Sequence, residues 1–321
     1  MINENFNINN HIKNNFRNWY YNLIIPKHIK NNYIKLNNNF KVSINEICNN
    51  QNDNNGLLTC LNERLKDHRM ISIPWLDSVR PLKNSRILEI GCGHGASTIS
   101  LAEQGAIVTA IDIDNDSIKL AKKSCEIYGL NVDFHQINGS DAASYFTKEK
   151  FDIIIFWAVL EHMTIEERMK AINGTFNMLN ADGLWCVIGT PNRLHYFDTH
   201  TSQLPFFQWL PDELALRYAH ISKRKGFSSS FSEISNNPEQ LISLYRWGRG
   251  VSYHEIELSL KPLNDLSIIS SLKTYSIERN KILKVILKPF LYSSYETYLH
   301  KQYPKINRCF FEPSLNFIIK K

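Results

Sequence analysis

The sequence predicts an α/β protein built on a doubly wound, mostly parallel sheet. Three observations predict it. Apolar runs of strand length alternate with helix-length segments from Arg86 to about Thr190, the rhythm of parallel β-α-β units joined by right-handed crossovers. The run Arg86-Ile87-Leu88-Glu89-Ile90-Gly91-Cys92-Gly93-His94-Gly95-Ala96 carries an apolar strand straight into alternating glycines and then into a helix. Ile153-Ile154-Ile155-Phe156 is apolar without interruption, as a strand buried on both faces should be.

The elements follow in order. The apolar spacing of Leu57, Leu58, Leu61 and Leu65 predicts a helix leading to Pro74-Trp75-Leu76. Strand Ile87–Ile90 runs into helix Ser97–Gln104, closed by Gly105. Strand Ile107–Ile111 precedes a helix from about Asp116 to Tyr128, with Gly129 as its C′ residue. Strand Val132–Ile137 is followed by a short helix at Ala142–Phe146, and Asp152–Phe156 is the fourth strand. Thr164 and Glu167 form a T-x-x-E capping box that announces a helix from Ile165 to Leu179. Strand Leu184–Ile188 ends the regular alternation. Residues 191–249 show prolines, aromatics and helical fragments without a β-α repeat. Ser252–Leu258 reads as a late strand, Ile269–Tyr303 as helical, and Ser314–Ile319 as a final strand.

A sheet of this kind binds its ligand outside the carboxyl ends of its strands. Glycines there let the backbone turn sharply and approach a ligand closely. The N–H groups at the start of the following helix favour an anion or a ligand carboxylate. Asp112 ends the second strand, 112 − 91 = 21 positions beyond Gly91. A carboxylate there can accept hydrogen bonds from both hydroxyls of a ribose, although helix capping by Asp112, Asp114 or Asp116 explains the same residues. Gly91, Gly93 and Ala96 also fit the dinucleotide pattern G-x-G-x-x-A. Spacing alone leaves a nicotinamide oxidoreductase open.

The company of these glycines narrows the choice. Glu89 stands two residues before Gly91, and Gly95 adds a third glycine. The run Glu89-x-Gly91-x-Gly93-x-Gly95 resembles motif I of the class I S-adenosylmethionine-dependent methyltransferases. The fourth strand continues into Trp157-Ala158-Val159-Leu160-Glu161-His162. This resembles the V-L-E-H motif of the branch that holds ubiquinone-type and small-molecule O-methyltransferases. The resemblance covers about residues 80–195. It implies a seven-stranded Rossmann-like sheet whose last strand is antiparallel and S-adenosylmethionine as cofactor. His and Asp side chains could also hold a divalent metal, as in catechol-type methyltransferases, but the ligand pattern of those enzymes is not visible, so no metal is expected. The resemblance implies cofactor contacts from Glu89, Gly91, Gly93, Gly95, Asp112, Ile113 and Trp157, with Asp141 and its neighbour Ser140 at the adenine. Ser140 and Asp141 also serve as caps for the short helix that follows.

Methyl transfer from a sulfonium is an in-line displacement with a good leaving group. The protein must orient the acceptor and exclude water. A base is needed for a hydroxyl and not for a carboxylate, and histidine is the natural one. His162 follows the fourth strand; Arg193, His195, Tyr196, Asp198 and His200 follow the fifth. The stretch Thr190-Pro191-Asn192-Arg193 … His200-Thr201 … Leu204-Pro205 … Trp209-Leu210-Pro211 resembles a loop of methyltransferases found with natural-product and surface-glycan pathways. His200 is the expected base or acceptor-positioning residue, with His195 and His162 as further candidates and Asp198 as the group to orient them. Arg193 and Tyr196 are the expected substrate contacts. Each has a plainer reading: His162 as a turn cap, Arg193 as a loop tie.

Composition sets the limits. The chain has 321 residues and a formal net charge of +6 with the lysines scattered, which argues against nucleic acid as a partner. The six cysteines contain no C-x-x-C pair, which argues against a zinc or thioredoxin-type site. No apolar stretch is long enough to span a bilayer, and a reducing cytoplasm is expected. The expected organisation is an N-terminal helical extension or lid over residues 1–80, a cofactor-binding core over 81–190, a substrate-side insertion over 191–250, and the C-terminal part of the sheet over 251–321. The expected acceptor is a small molecule or a peptide, taken on oxygen; nitrogen and a homodimer stay open.

Overall fold

The computed structural model describes residue 61 and residues 63–233, 237–279 and 292–321. The aromatic-rich segment around Phe16 to Ile24, expected to pack as a helix or lid, lies outside them. The helix expected before the core is present: residues 63–67 are helical, His68–Ser72 widens into a π-helical turn, and α1 (Ile73–Val79) follows with Pro74 in its first turn.

The core alternates as the pattern predicts. β1 (Arg86–Ile90) leads to α2 (Ala96–Ala102), and β2 (Ile107–Asp112) to α3 (Asn115–Tyr128). β3 (Asp133–Gln136) leads to α4 (Ala142–Tyr145), and β4 (Phe151–Trp157) to α5 (Ile165–Asn177). β5 (Leu179–Pro191) closes the run. Caps explain where these helices start and stop. The Asp114 side chain accepts from Ser117 N–H at the start of α3, and Gly129 ends it at φ +67°. Thr164 and Glu167 cap α5 reciprocally.

Among the described residues, four α-helices fill the stretch after β5: α6 (Asp212–Ala219), α7 (Lys225–Ser230), α8 (Pro238–Trp247) and α9 (Tyr253–Ser259). The last replaces the strand expected at Ser252–Leu258. Ser252 and Glu255 form a capping box, and one face of the helix buries Ile256 and Ser259. The S-x-x-E signal outranks the apparent alternation. The helix expected over Ile269–Tyr303 opens instead as strand β6 (Ser267–Ser271), followed by α10 (Leu272–Arg279) and later α11 (Ser294–Gln302). The β-branched pair Ile268-Ile269 favours the extended form. β7 (Ser314–Lys320) is the expected final strand.

Among the described residues the sheet has seven strands in the order β3-β2-β1-β4-β5-β7-β6. β1 to β5 pair in parallel, while β7 runs antiparallel to both β5 and β6. Between Val187 and Thr190 the β5–β7 register slips. Gly189 takes φ +74° there and donates its N–H to the Asn316 side chain, so the irregularity leaves no orphaned donor. Apolar cores cover both faces of the sheet. One holds Trp75, Ile87, Ile99 and Ile155, the other Leu88, Ile154, Phe156 and Trp185. A third, smaller core gathers Phe207, Phe227, Phe231 and Leu244 within the segment after β5. That segment is locked to the sheet by Arg168 of α5, which is fully buried. Its guanidinium donates to the carbonyls of Leu160, Glu161, Arg249 and Gly250 and pairs with Glu255 at 3.0 Å.

Candidate functional site

The strand carboxyl ends meet in a cleft lined by Gly91, Asp112, Ile113, Gly139, Val159, His162, Met163 and Arg246, among others. The crossover between β1 and β4 is where such a sheet opens toward a ligand.

The cofactor side begins with Glu89. Its side chain is fully buried at the end of β1. Thr98 donates its hydroxyl to Glu89 Oε2 at 2.6 Å, while Oε1 is buried without a partner. Burial raises the Glu89 carboxyl to about 7, against the opposing pull of the nearby Ser97 and Thr98 hydroxyls. A buried acceptor without a donor is costly, and a ligand ammonium would relieve it. Gly91 adopts φ +74°, and a Cβ there would meet Val159 Cγ2 at 2.4 Å. Gly93, at φ +49°, has nothing within 4 Å of such a Cβ, whereas Gly95 packs on Ala121. The loop is therefore closely packed at its ends and open at its middle.

Asp112 fixes that loop. Oδ2 accepts from Gly93 N–H at 2.8 Å and Oδ1 from Asp114 N–H at 2.9 Å. Capping falls to Asp114, so each Asp112 oxygen keeps a lone pair for a ligand. Ile113 is 54% exposed beside it. Ser140 is buried in the turn after β3, where Asn138 accepts its N–H. Asp141 faces outward and pairs with Lys170 at 2.6 Å, away from the cleft lining. Trp157 is buried at the end of β4, with the His68 ring edge-on 4.1 Å away. Burial lowers His68 to about 3, so it stays neutral.

Opposite lies a group that spacing did not single out. Glu161, fully buried in the short turn after β4, accepts from Thr190 Oγ1 at 3.2 Å through Oε2. Its Oε1 has no hydrogen-bond partner. Two imidazoles face that oxygen: His162 Nε2 at 4.0 Å and His200 Nε2 at 3.8 Å. Burial pushes Glu161 up to about 7 and His162 down to about 4. His200 is also lowered by burial, against the pull of Asp198. The His162 ring is anchored through Nδ1 on the Arg246 carbonyl at 2.9 Å, and the His200 ring through Nδ1 on Thr201 Oγ1 at 3.0 Å.

His200 and His162 thus come together, but around Glu161 and not around Asp198. The Asp198 carboxylate is used up locally, accepting the N–H groups of His200, Thr201 and Ser202 and the Ser202 hydroxyl. His195 bonds its own loop at the Phe197 carbonyl and stacks on Tyr196. Arg193 donates its backbone N–H to Val251. Tyr196 stays 44% exposed. Among the described residues, Glu161, Val159, Met163 and Arg246 are site residues that sequence reasoning missed. Glu161 had a signal, an acid four residues beyond the largely apolar fourth strand and directly before His162. Arg246 had none, since α8 reaches the cleft through the fold alone.

Residues 87–183 match the family described as a methyltransferase domain. The ubiquinone biosynthesis O-methyltransferase of Glaesserella parasuis is 38% identical over 120 residues, covering 36% of this chain and 50% of that one. The protein of the same name from Pseudomonas fluorescens Pf0-1 is 29% identical over 119 residues, 37% of this chain and 50% of the other. The chain spans about half the length of the curated relatives it matches. A solved magnesium protoporphyrin IX methyltransferase from Synechocystis with bound S-adenosylhomocysteine aligns over 50% of this chain and 70% of that one, with 22% identity and a TM-score of 0.37.

Proposed function

We propose that this protein, whose residues 87–183 match the family described as a methyltransferase domain, is a class I S-adenosylmethionine-dependent enzyme that moves a methyl group to oxygen of a small acceptor. The acceptor class is a hydroxyl or carboxylate of a natural product, peptide or glycan intermediate. The observation that carries the reading is the meeting of two halves in one cleft. Gly91 and Asp112 line it from the cofactor side, and His162 lines it from the acceptor side. The names of the matched relatives favour oxygen.

The bound cofactor supplies an electrophilic methyl on a sulfonium. The residues present fit it: an unpartnered buried carboxylate oxygen on Glu89 and open space over Gly93. The free oxygen of Glu89 receives the ammonium of the amino-acid portion. Asp112 uses its remaining lone pairs on the ribose hydroxyls. Ser140 and the turn around it take the adenine edge, which Asp141 reaches only by leaving Lys170. Trp157 and Ile113 wall the cleft against water. On the other side, His200 is 36% exposed and presents Nε2 to an incoming hydroxyl. It takes the hydroxyl proton, and the Glu161 carboxylate, 3.8 Å from the same nitrogen, stabilises the imidazolium. Tyr196, Phe206 and Trp209, all exposed, give the acceptor an apolar rim. Four buried free cysteines, Cys92, Cys125, Cys186 and Cys309, suit a reducing cytoplasm.

The test is a screen of acceptors with isotopically labelled S-adenosylmethionine, read by the mass gain of one methyl. Transfer to hydroxyl or carboxyl compounds supports the reading. Transfer to amines alone, or no binding of S-adenosylmethionine in calorimetry, overturns it.

A further inference from the structure

Three acceptor atoms converge beside the cleft with no donor among them. Glu161 Oε1, His162 Nε2 and His200 Nε2 all lie within 4.8 Å of one another. The outer nitrogens decide what the inner ones can be. His162 Nδ1 faces the carbonyl of Arg246, which can only accept, so Nδ1 carries the proton. Thr201 Oγ1 donates to the Trp247 carbonyl at 3.3 Å. It therefore accepts from His200 Nδ1, and that nitrogen carries the proton too. In the neutral rings both Nε2 atoms present lone pairs toward a carboxylate oxygen that is itself unpartnered. Lone pairs arranged in this way repel unless something positive stands between them.

We propose that Glu161, His162 and His200 form a binding site for one divalent first-row transition-metal ion, held by Oε1 and the two Nε2 atoms. Imidazole and carboxylate together suit Zn²⁺, Fe²⁺, Co²⁺ or Ni²⁺ better than Mg²⁺, which prefers oxygen alone. Imidazoles whose second nitrogen is tied to a carbonyl or hydroxyl are the common form of a metal-binding histidine. Bonds of about 2.0–2.2 Å to each atom require the three to draw together from their present separations. Three ligands leave open positions toward the cleft, where an acceptor oxygen can bind. In the loaded protein the two rings are ligands and no longer bases, and the ion seats the acceptor. The site itself does not depend on the methyl-transfer reading; only the use made of the ion does.

The experiment uses the full chain, stripped with a chelator and titrated with Co²⁺ under visible absorption, then with Zn²⁺ in competition. One ion per chain with a dissociation constant of about 10 µM or tighter is the expected result, with d–d bands that Zn²⁺ abolishes. His200→Ala and Glu161→Gln should each weaken binding at least tenfold. Circular dichroism checks folding, and His200→Ala, in a loop, keeps the test decisive if Glu161→Gln does not fold. Binding weaker than about 1 mM, or binding that survives both substitutions, overturns the site. Calorimetry with S-adenosylmethionine on the stripped protein reads the cofactor cleft separately, so either result can fail without the other.

Discussion

Thr98 gives its hydroxyl to one oxygen of Glu89 and leaves the other oxygen sealed in the protein with nothing to accept. With its carboxyl raised to about 7, Glu89 holds a proton below that pH and is ionised above it. An ammonium ligand needs the ionised form. Affinity for S-adenosylmethionine should therefore fall as pH drops below about 7, approaching tenfold per pH unit. Glu89→Gln should bind weakly at every pH with that slope gone. Calorimetry from pH 5.5 to 8.5 checks it; a flat profile in the parent protein would remove Glu89 from cofactor recognition.

Asp112 has two duties, holding Gly93 and meeting the ribose. Asp112→Ala should weaken S-adenosylmethionine binding by about 1–3 kcal/mol, the cost of leaving polar partners unmatched. Unchanged affinity would show that the glycine loop alone holds the nucleoside.

Gly91→Ala places a Cβ 2.4 Å from Val159 Cγ2 at a backbone angle of +74°. Overpacking together with the left-handed conformation should cost about 2–4 kcal/mol of stability. Urea denaturation measures it. The same substitution at Gly93, which has open space and a similar backbone sign, should cost less in stability but more in cofactor affinity.

Arg168→Ala leaves four carbonyls and Glu255 without their donor in the interior. Removing one partner of a buried pair costs about 3–5 kcal/mol, and the loss should appear as a lower midpoint in thermal unfolding. A midpoint within a degree or two of the parent would mean that water replaces the guanidinium.

In protein stripped of divalent metal, where the His200 ring is free to act as a base, His200→Ala should lower turnover on hydroxyl acceptors by roughly 10²–10⁴-fold, the span of general-base catalysis. S-adenosylmethionine affinity should change less than twofold. Comparison of kcat on hydroxyl and carboxylate acceptors gives the sharper reading, because a carboxylate has no proton to lose and should suffer little.

Strand and helix identities in the core could be read from periodicity and caps. Thr164 with Glu167 and Gly129 after Tyr128 marked their boundaries, because capping is local chemistry. The same chemistry at Ser252 and Glu255 was masked by an apparent alternation, and a helix was taken for a strand. Glu89, the glycines and Asp112 were legible because they lie within 25 positions on one β-α-β unit. The grouping of Glu161, His162 and His200 was only half legible. Two are neighbours in sequence, but the third arrives across a connection whose path no pattern predicts. Asp198 beside His200 suggested the wrong carboxylate, since two residues apart in a turn it serves backbone N–H groups.

The buried Arg168 reads four main-chain oxygens on two separate segments at once. Those atoms are independent of side-chain identity. Residues lining the acceptor cavity can therefore diversify widely while the frame that presents them stays seated. A transplant of the 191–250 segment into a related scaffold should take hold only where the recipient offers an arginine at the position corresponding to 168.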